Sequence, residues 1–341
     1  GIVASLYHQF NDWPTLSEQA LLKETIMRKF LGVLFAVAWS AQVLAQQIGS
    51  TAPLVLALNW KPEPQFGGFY AAQLQGYYRD NTLDVKIIEG GSGTPTIQML
   101  AAGKIDYAVV SADEVVIAHA RGATNIVALF ATFQISPQAI MTHTQRGFTS
   151  IEEILHSDGV LLWQAGLPYS QYLKKEYSPI EVFTAPYLGG IGSFQNDSKV
   201  SQQCFISSEP LTAVAAGLKI NTFLVADTGY NPYTTVLATT RERWKASPSE
   251  VKGMIAAVRS GWNDYLAKPE ETNRAMQTLN KAMSADTFTH SAQAQQSLIK
   301  TDTTALIGEM TLARWQTLGD QLLDLKIIQK PVSAKDLFID L

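Results

Sequence analysis

The chain of 341 residues contains a single cysteine, Cys204, so no intramolecular disulfide can form. Stability has to come from burial, and a 46% share of hydrophobic residues can supply it. Excess positive charge is also missing. The net charge is −4 and no basic patch stands out, which excludes a general nucleic-acid binder. No apolar run approaches the roughly 20 residues a membrane-crossing helix needs. The five histidines, His8, His119, His143, His156 and His290, are scattered, and none has metal-ligand spacing with another ligand type. There is no G-x-S-x-G elbow, no P-loop and no G-x-G-x-x-G. Cys204 sits in an apolar stretch, QCFI, and reads as an inert packing thiol. The expectation is a protein that is not an enzyme and that needs no cofactor and no metal.

What is present begins with an address. Met27-Arg28-Lys29 is a basic start, Phe30–Trp39 a short apolar core, and Val43-Leu44-Ala45 a small-residue cleavage site. Together they predict a signal peptide over 27–45, cleaved after Ala45, and a periplasmic mature chain. Residues 1–26 read as upstream sequence that is not native to the protein.

The chain is organised around residues 54–78, LVLALNWKPEPQFGGFYAAQLQGYY. Leu54–Leu58 predicts a buried strand. Pro62 and Pro64 then stiffen a loop, and Gly67-Gly68 opens a helix. Loops that leave the carboxyl ends of strands in open α/β sheets hold ligands, so Asn59, Trp60, Gln65 and Phe66 predict one wall of a small-molecule site. A second strand, Leu83–Glu89, runs into a glycine-rich turn. There Thr94 is expected to cap a helix with Pro95 at its first position, and Ser92, Gly93 and Thr94 to face the ligand. Strands at Ile105–Val110 and Asn125–Phe133, with a helix between them from Ser111 to Gly122, complete a βαβ alternation and predict a mostly parallel sheet.

The chain changes character at Ser136-Pro137-Gln138. Short strands at 139–142, 159–163, 180–184 and 223–226 alternate with helices, and beyond Arg241 the sequence is mostly helical. A weak repeat links the halves: VVSADEVVIAHARG (109–122) and FISSEPLTAVAAG (205–217) pair Ser111 with Ser207 and Asp113 with Glu209. Each acid is placed at a helix start, where the dipole favours it. Either they only cap helices, or two similar lobes each point a strand-end loop at a common cleft. Gln138, Gln164, Gly166, Tyr169, Tyr187 and Asp227 complete a lining of aromatics and placed polar groups.

The run LNWKPEPQFGGFYAAQLQGYY, with LDVKIIEGGSGT and AAGKIDYAVVSADE, resembles the N-terminal lobe of ABC-importer substrate-binding proteins. The similar group includes binders of thiamine pyrimidine precursors, sulfonates and nitrate. The resemblance implies a type II periplasmic-binding fold: two α/β lobes, two crossover strands and a cleft between. The first lobe would comprise 52–136 and 234–341, and the second 137–233. It also implies ligand-driven closure, delivery to an inner-membrane ABC permease, and a monomer. With acids at 113 and 209 facing the cleft, a neutral or cationic heterocycle, such as a pyrimidine-type thiamine precursor, fits better than nitrate or a sulfonate. Besides a sulfonate- or nitrate-binding receptor, the alternative is the thiamine-pyrimidine synthase of the same fold, which holds pyridoxal phosphate on a lysine and consumes its own histidine. The matching positions here are Val110 and Glu114, and that enzyme's cysteine-rich run has no counterpart. A ligand sensor is a third reading.

Overall fold

The computed structural model describes residues 52–341. The expected signal peptide, residues 27–45, and the upstream segment, residues 1–26, lie outside the described residues. Among those described, no helix is long and apolar enough to cross a membrane.

Two five-stranded sheets form the frame. The first uses β1 (Leu54–Ala57), β2 (Val85–Ile88), β3 (Tyr107–Val110), β4 (Ile126–Phe133) and β10 (Thr234–Thr240), in the order β2-β1-β3-β10-β4. β1 runs parallel to β2 and β3, while β10 lies antiparallel between β3 and β4. The second sheet uses β5 (Gln138–His143), β6 (Val160–Trp163), β7 (Phe183–Pro186), β8 (Val200–Phe205) and β9 (Ile220–Leu224), in the order β7-β6-β8-β5-β9. Here β6 is parallel to β7 and β8, and β5 lies antiparallel between β8 and β9. Both sheets therefore share one plan, a parallel trio beside an inserted antiparallel strand. The apolar runs of β3 and β4 follow from this position, since both strands are buried along their whole length.

The helices that set the cleft are α1 (Gly67–Leu74), α2 (Thr96–Ala101), α3 (Ala112–Ala120), α4 (Pro168–Glu176), α5 (Glu209–Ala215), α6 (Pro248–Ala267), α7 (Ala285–Ala294) and α8 (Leu312–Asp324). Gly67-Gly68 starts α1 because aromatic rings of α6 press on its backbone. A Cβ on Gly68 would come within 2.2 Å of the Trp262 ring.

The chain passes between the sheets twice, after β4 and before β10. Arg314 of α8 ties the two passages together. Its guanidinium donates to the Gln134 carbonyl at 2.6 Å and to the Asn231 carbonyl at 2.7 Å, and lies 3.9 Å over the Tyr233 ring. Asn231 adds a second tie, accepting from the Ser136 amide at 2.8 Å.

Candidate functional site

A cleft of about 670 Å³ opens between the sheets, within the size range of small-molecule sites. Strand-end loops of both sheets supply its walls, together with the second passage, residues 230–235.

From the first sheet, the β1 loop brings Asn59, Trp60 and Gln65 to the cleft, and the β2 turn brings Ser92, Gly93 and Thr94. Phe66 does not belong with them. It is fully buried beneath the loop among Phe69, Trp262 and Tyr265. The reason is local: the turn Pro64–Phe66 leads straight into α1 and points this ring at the core, leaving Trp60 half-buried at the surface of the cleft. The glycine-rich turn also differs from expectation. Thr94 does not cap α2; its Oγ1 accepts from the Gly91 amide at 2.8 Å instead. Gly90 is needed because a Cβ there would meet the Leu58 carbonyl at 2.2 Å, so its close approach is to β1 rather than to a ligand.

The β3 loop contributes Ser111, Asp113 and Glu114. Ser111 is the N-cap of α3, in a capping box with Glu114, whose carboxylate accepts from the Ser111 amide at 2.8 Å. Asp113 takes hydrogen bonds from the Ser111 hydroxyl, from the Glu114 amide at 2.9 Å and from the Tyr230 hydroxyl at 3.0 Å. Burial pushes both carboxyls upward from their ordinary range, and those hydrogen bonds oppose the shift.

From the second sheet come Gln138, Gln164, Gly166, Tyr169, Tyr187 and Glu209. Gln164 and Tyr169 are both tied to Gln203. Gln203 accepts from the Tyr169 hydroxyl at 2.5 Å and from the Gln164 amide at 2.6 Å, and its own Nε2 donates to Gln164 Oε1 at 2.8 Å. Asp227 is absent from the cleft: it is exposed on the turn Val225–Thr228, while its neighbour Val225 is the one turned inward.

Glu209 begins α5, yet its carboxylate reaches back to the strand end. Oε2 accepts from the Phe205 amide at 2.9 Å and Oε1 from the Tyr187 hydroxyl at 2.8 Å. Ser208, not Ser207, is the N-cap residue of α5; Ser207 is buried and its carbonyl accepts from Ser291 of α7.

Glu63, between the two prolines, is a cleft residue that sequence reasoning passed over. It accepts a long hydrogen bond from the Trp60 indole at 3.3 Å. Burial, and then the carboxylate of Glu209 across the cleft, push its pKa up from 4.5 to about 7. Nearby Ser208 and Lys61 act in the opposite direction. An acid in a proline-stiffened loop beside a tryptophan was the available signal. Thr235 was also missed. It lines the cleft at φ +53°, a strained backbone conformation for a β-branched residue.

The cleft thus carries four carboxyl groups, on Glu63, Asp113, Glu114 and Glu209, against one guanidinium, on the exposed Arg121. Among the described residues no lysine lines it, and no cluster of histidine, cysteine and acidic side chains could hold a metal ion. Pyridoxal phosphate held as an imine needs an amine that this cleft lacks. The residue at the corresponding strand end, Val110, is fully buried in the core.

Two sheets of this plan around a ligand-sized cleft define a periplasmic-binding-protein fold. The sulfonate-binding SsuA of Escherichia coli superposes with a TM-score of 0.64 at 13% identity, over 84% of this chain and 92% of that one. The alkanesulfonate-binding SsuA of Xanthomonas axonopodis pv. citri, solved with MOPS, gives 0.63 at 10% identity, over 86% and 100%. A family model described as "NMT1/THI5 like" matches residues 63–155 and 198–272, so the chain is similar to that family over those two segments. Among curated relatives, 4-amino-5-hydroxymethyl-2-methylpyrimidine phosphate synthase THI11 of Saccharomyces cerevisiae is 21% identical over 178 residues. That match covers 52% of this chain and only 44% of the yeast protein.

Proposed function

We propose that this protein is a periplasmic solute receptor that captures a small organic ligand and delivers it to an ABC importer. The observation that carries the reading is the composition of the cleft. Trp60 and Tyr187 offer aromatic faces, Gln65 offers a buried amide, and four carboxyls set the charge. A neutral or cationic nitrogen heterocycle, of which a pyrimidine-type thiamine precursor is one, matches those walls. A sulfonate or nitrate would meet carboxylates at close range. Synthase activity like that of the yeast relative is disfavoured because the lysine and histidine such chemistry would draw on have no counterpart at Val110 and Glu114.

The test is native mass spectrometry of the protein as purified, then denaturation to release and identify what it carries. One heterocycle per chain supports the reading and names the ligand class. A released mass matching pyridoxal phosphate overturns it in favour of the enzyme.

A further inference from the structure

Within the cleft, Glu63 and Glu209 stand apart from the other acids. Asp113 and Glu114 are consumed by their own helix start. Glu63 comes from the first sheet's loop and faces Ser208 and Glu209 of the second. Few other ionisable groups bear on this pair: Lys61 on Glu63, and Tyr187 and Cys204 beside Glu209. The elements behind the β1 loop contribute amides, with Asn280 Nδ2 donating to the Pro62 carbonyl at 3.0 Å and Gln295 Nε2 to the Pro64 carbonyl at 2.7 Å. A second, independent feature points to a ligand. Gln65 is only 7% exposed, lines the cleft, and makes no side-chain hydrogen bond among the described residues. Its amide is open to the cleft rather than sealed in the protein, so a ligand group can reach it and pair with it.

We propose that Glu63 and Glu209 form a carboxyl pair across the cleft that keeps one proton when empty and exchanges it for a ligand cation, an amidinium or protonated ring nitrogen. The inference rests on the solute-receptor reading and narrows its ligand class. The exchange balances: the carboxyl O–H breaks, its proton leaves to solvent, and the ligand's positive charge replaces it between two carboxylates. A neutral ligand leaves the proton in place. An anion would need a second proton on the pair.

The experiment is a carboxyl ¹³C NMR titration of the purified full chain, empty and then with benzamidinium or its neutral analogue benzamide. One glutamate is expected to titrate near neutrality, to vanish in Glu63→Gln and to move downward in Glu209→Gln. Benzamidinium should abolish that titration, release about half a proton per chain at pH 7 and nearly one at pH 6, and bind at least about tenfold tighter than benzamide, a difference of 1.4 kcal/mol. A Glu63 that titrates in the ordinary carboxylate range, or ignores Glu209→Gln, overturns the pair whatever ligand the protein carries. A pair that titrates as expected but is untouched by benzamidinium, or prefers benzamide, overturns the exchange and leaves the solute-receptor reading to the native mass spectrum.

Discussion

The two sheets each start a helix at the same point in their plan, after β3 and after β8, and each start carries an acid. The two acids are used differently. Asp113 is enclosed: three donors, on Ser111, Glu114 and Tyr230, hold its oxygens. Glu209 accepts from a strand-end amide and a tyrosine, and faces the carboxyl of Glu63 across the cleft. The same local motif therefore yields a structural anchor beside one sheet and a carboxyl aimed into the cleft beside the other. The difference lies in the company each acid keeps, which the helix start alone does not determine.

The largest expected effect tests the cross-cleft side of this contrast. Glu63 has a raised pKa, so the folded chain holds a proton that the unfolded chain releases. Stability is then highest at low pH and falls as pH rises from about 4.5 to about 7. At 1.36 kcal/mol per unit the loss is about 3 to 4 kcal/mol, and urea unfolding of Glu63→Gln should lack Glu63's share of the slope. Next comes the enclosed side. Asp113→Ala leaves the Tyr230 hydroxyl and the Glu114 amide without their acceptor and should lower stability by about 2–3 kcal/mol in the same assay. Glu209→Gln should do the reverse, weakening a bound cation by about 2 kcal/mol in calorimetry while the unfolding midpoint barely moves. A collapse in stability would return Glu209 to the class of Asp113. Smallest, Trp60→Ala should weaken ligand binding about tenfold, near 1.4 kcal/mol. Unchanged affinity would leave Trp60 a packing residue, as Phe66 is.

Phe66 and Glu63 show where the sequence was legible and where it was not. The strand–loop–helix unit at 54–74 was readable, because an apolar run, two prolines and a Gly-Gly pair are local signals. The direction of each side chain in the loop was not. Phe66 and Trp60 are both aromatic, and only the packing of α6 behind the loop decides that one ring goes into the core. Glu63 was passed over for a related reason, since its partner Glu209 lies far along the chain. The repeat at 109–122 and 205–217 does fall at matching places in the two sheets, yet the pairing of Ser111 with Ser207 is off by one residue, because Ser208 precedes α5. Strand ends were legible to within a few residues, as in β9, which runs Ile220–Leu224 where 223–226 was expected.

Arg314 has a mechanical consequence. Its planar fork grips one carbonyl in each passage between the sheets, at Gln134 and Asn231, and Asn231 holds Ser136 as well. Two separate strands would twist independently, and one lobe could shear or wobble against the other. Clasped this way, the two passages are held to one another through one side chain, so neither can twist without pulling on the other.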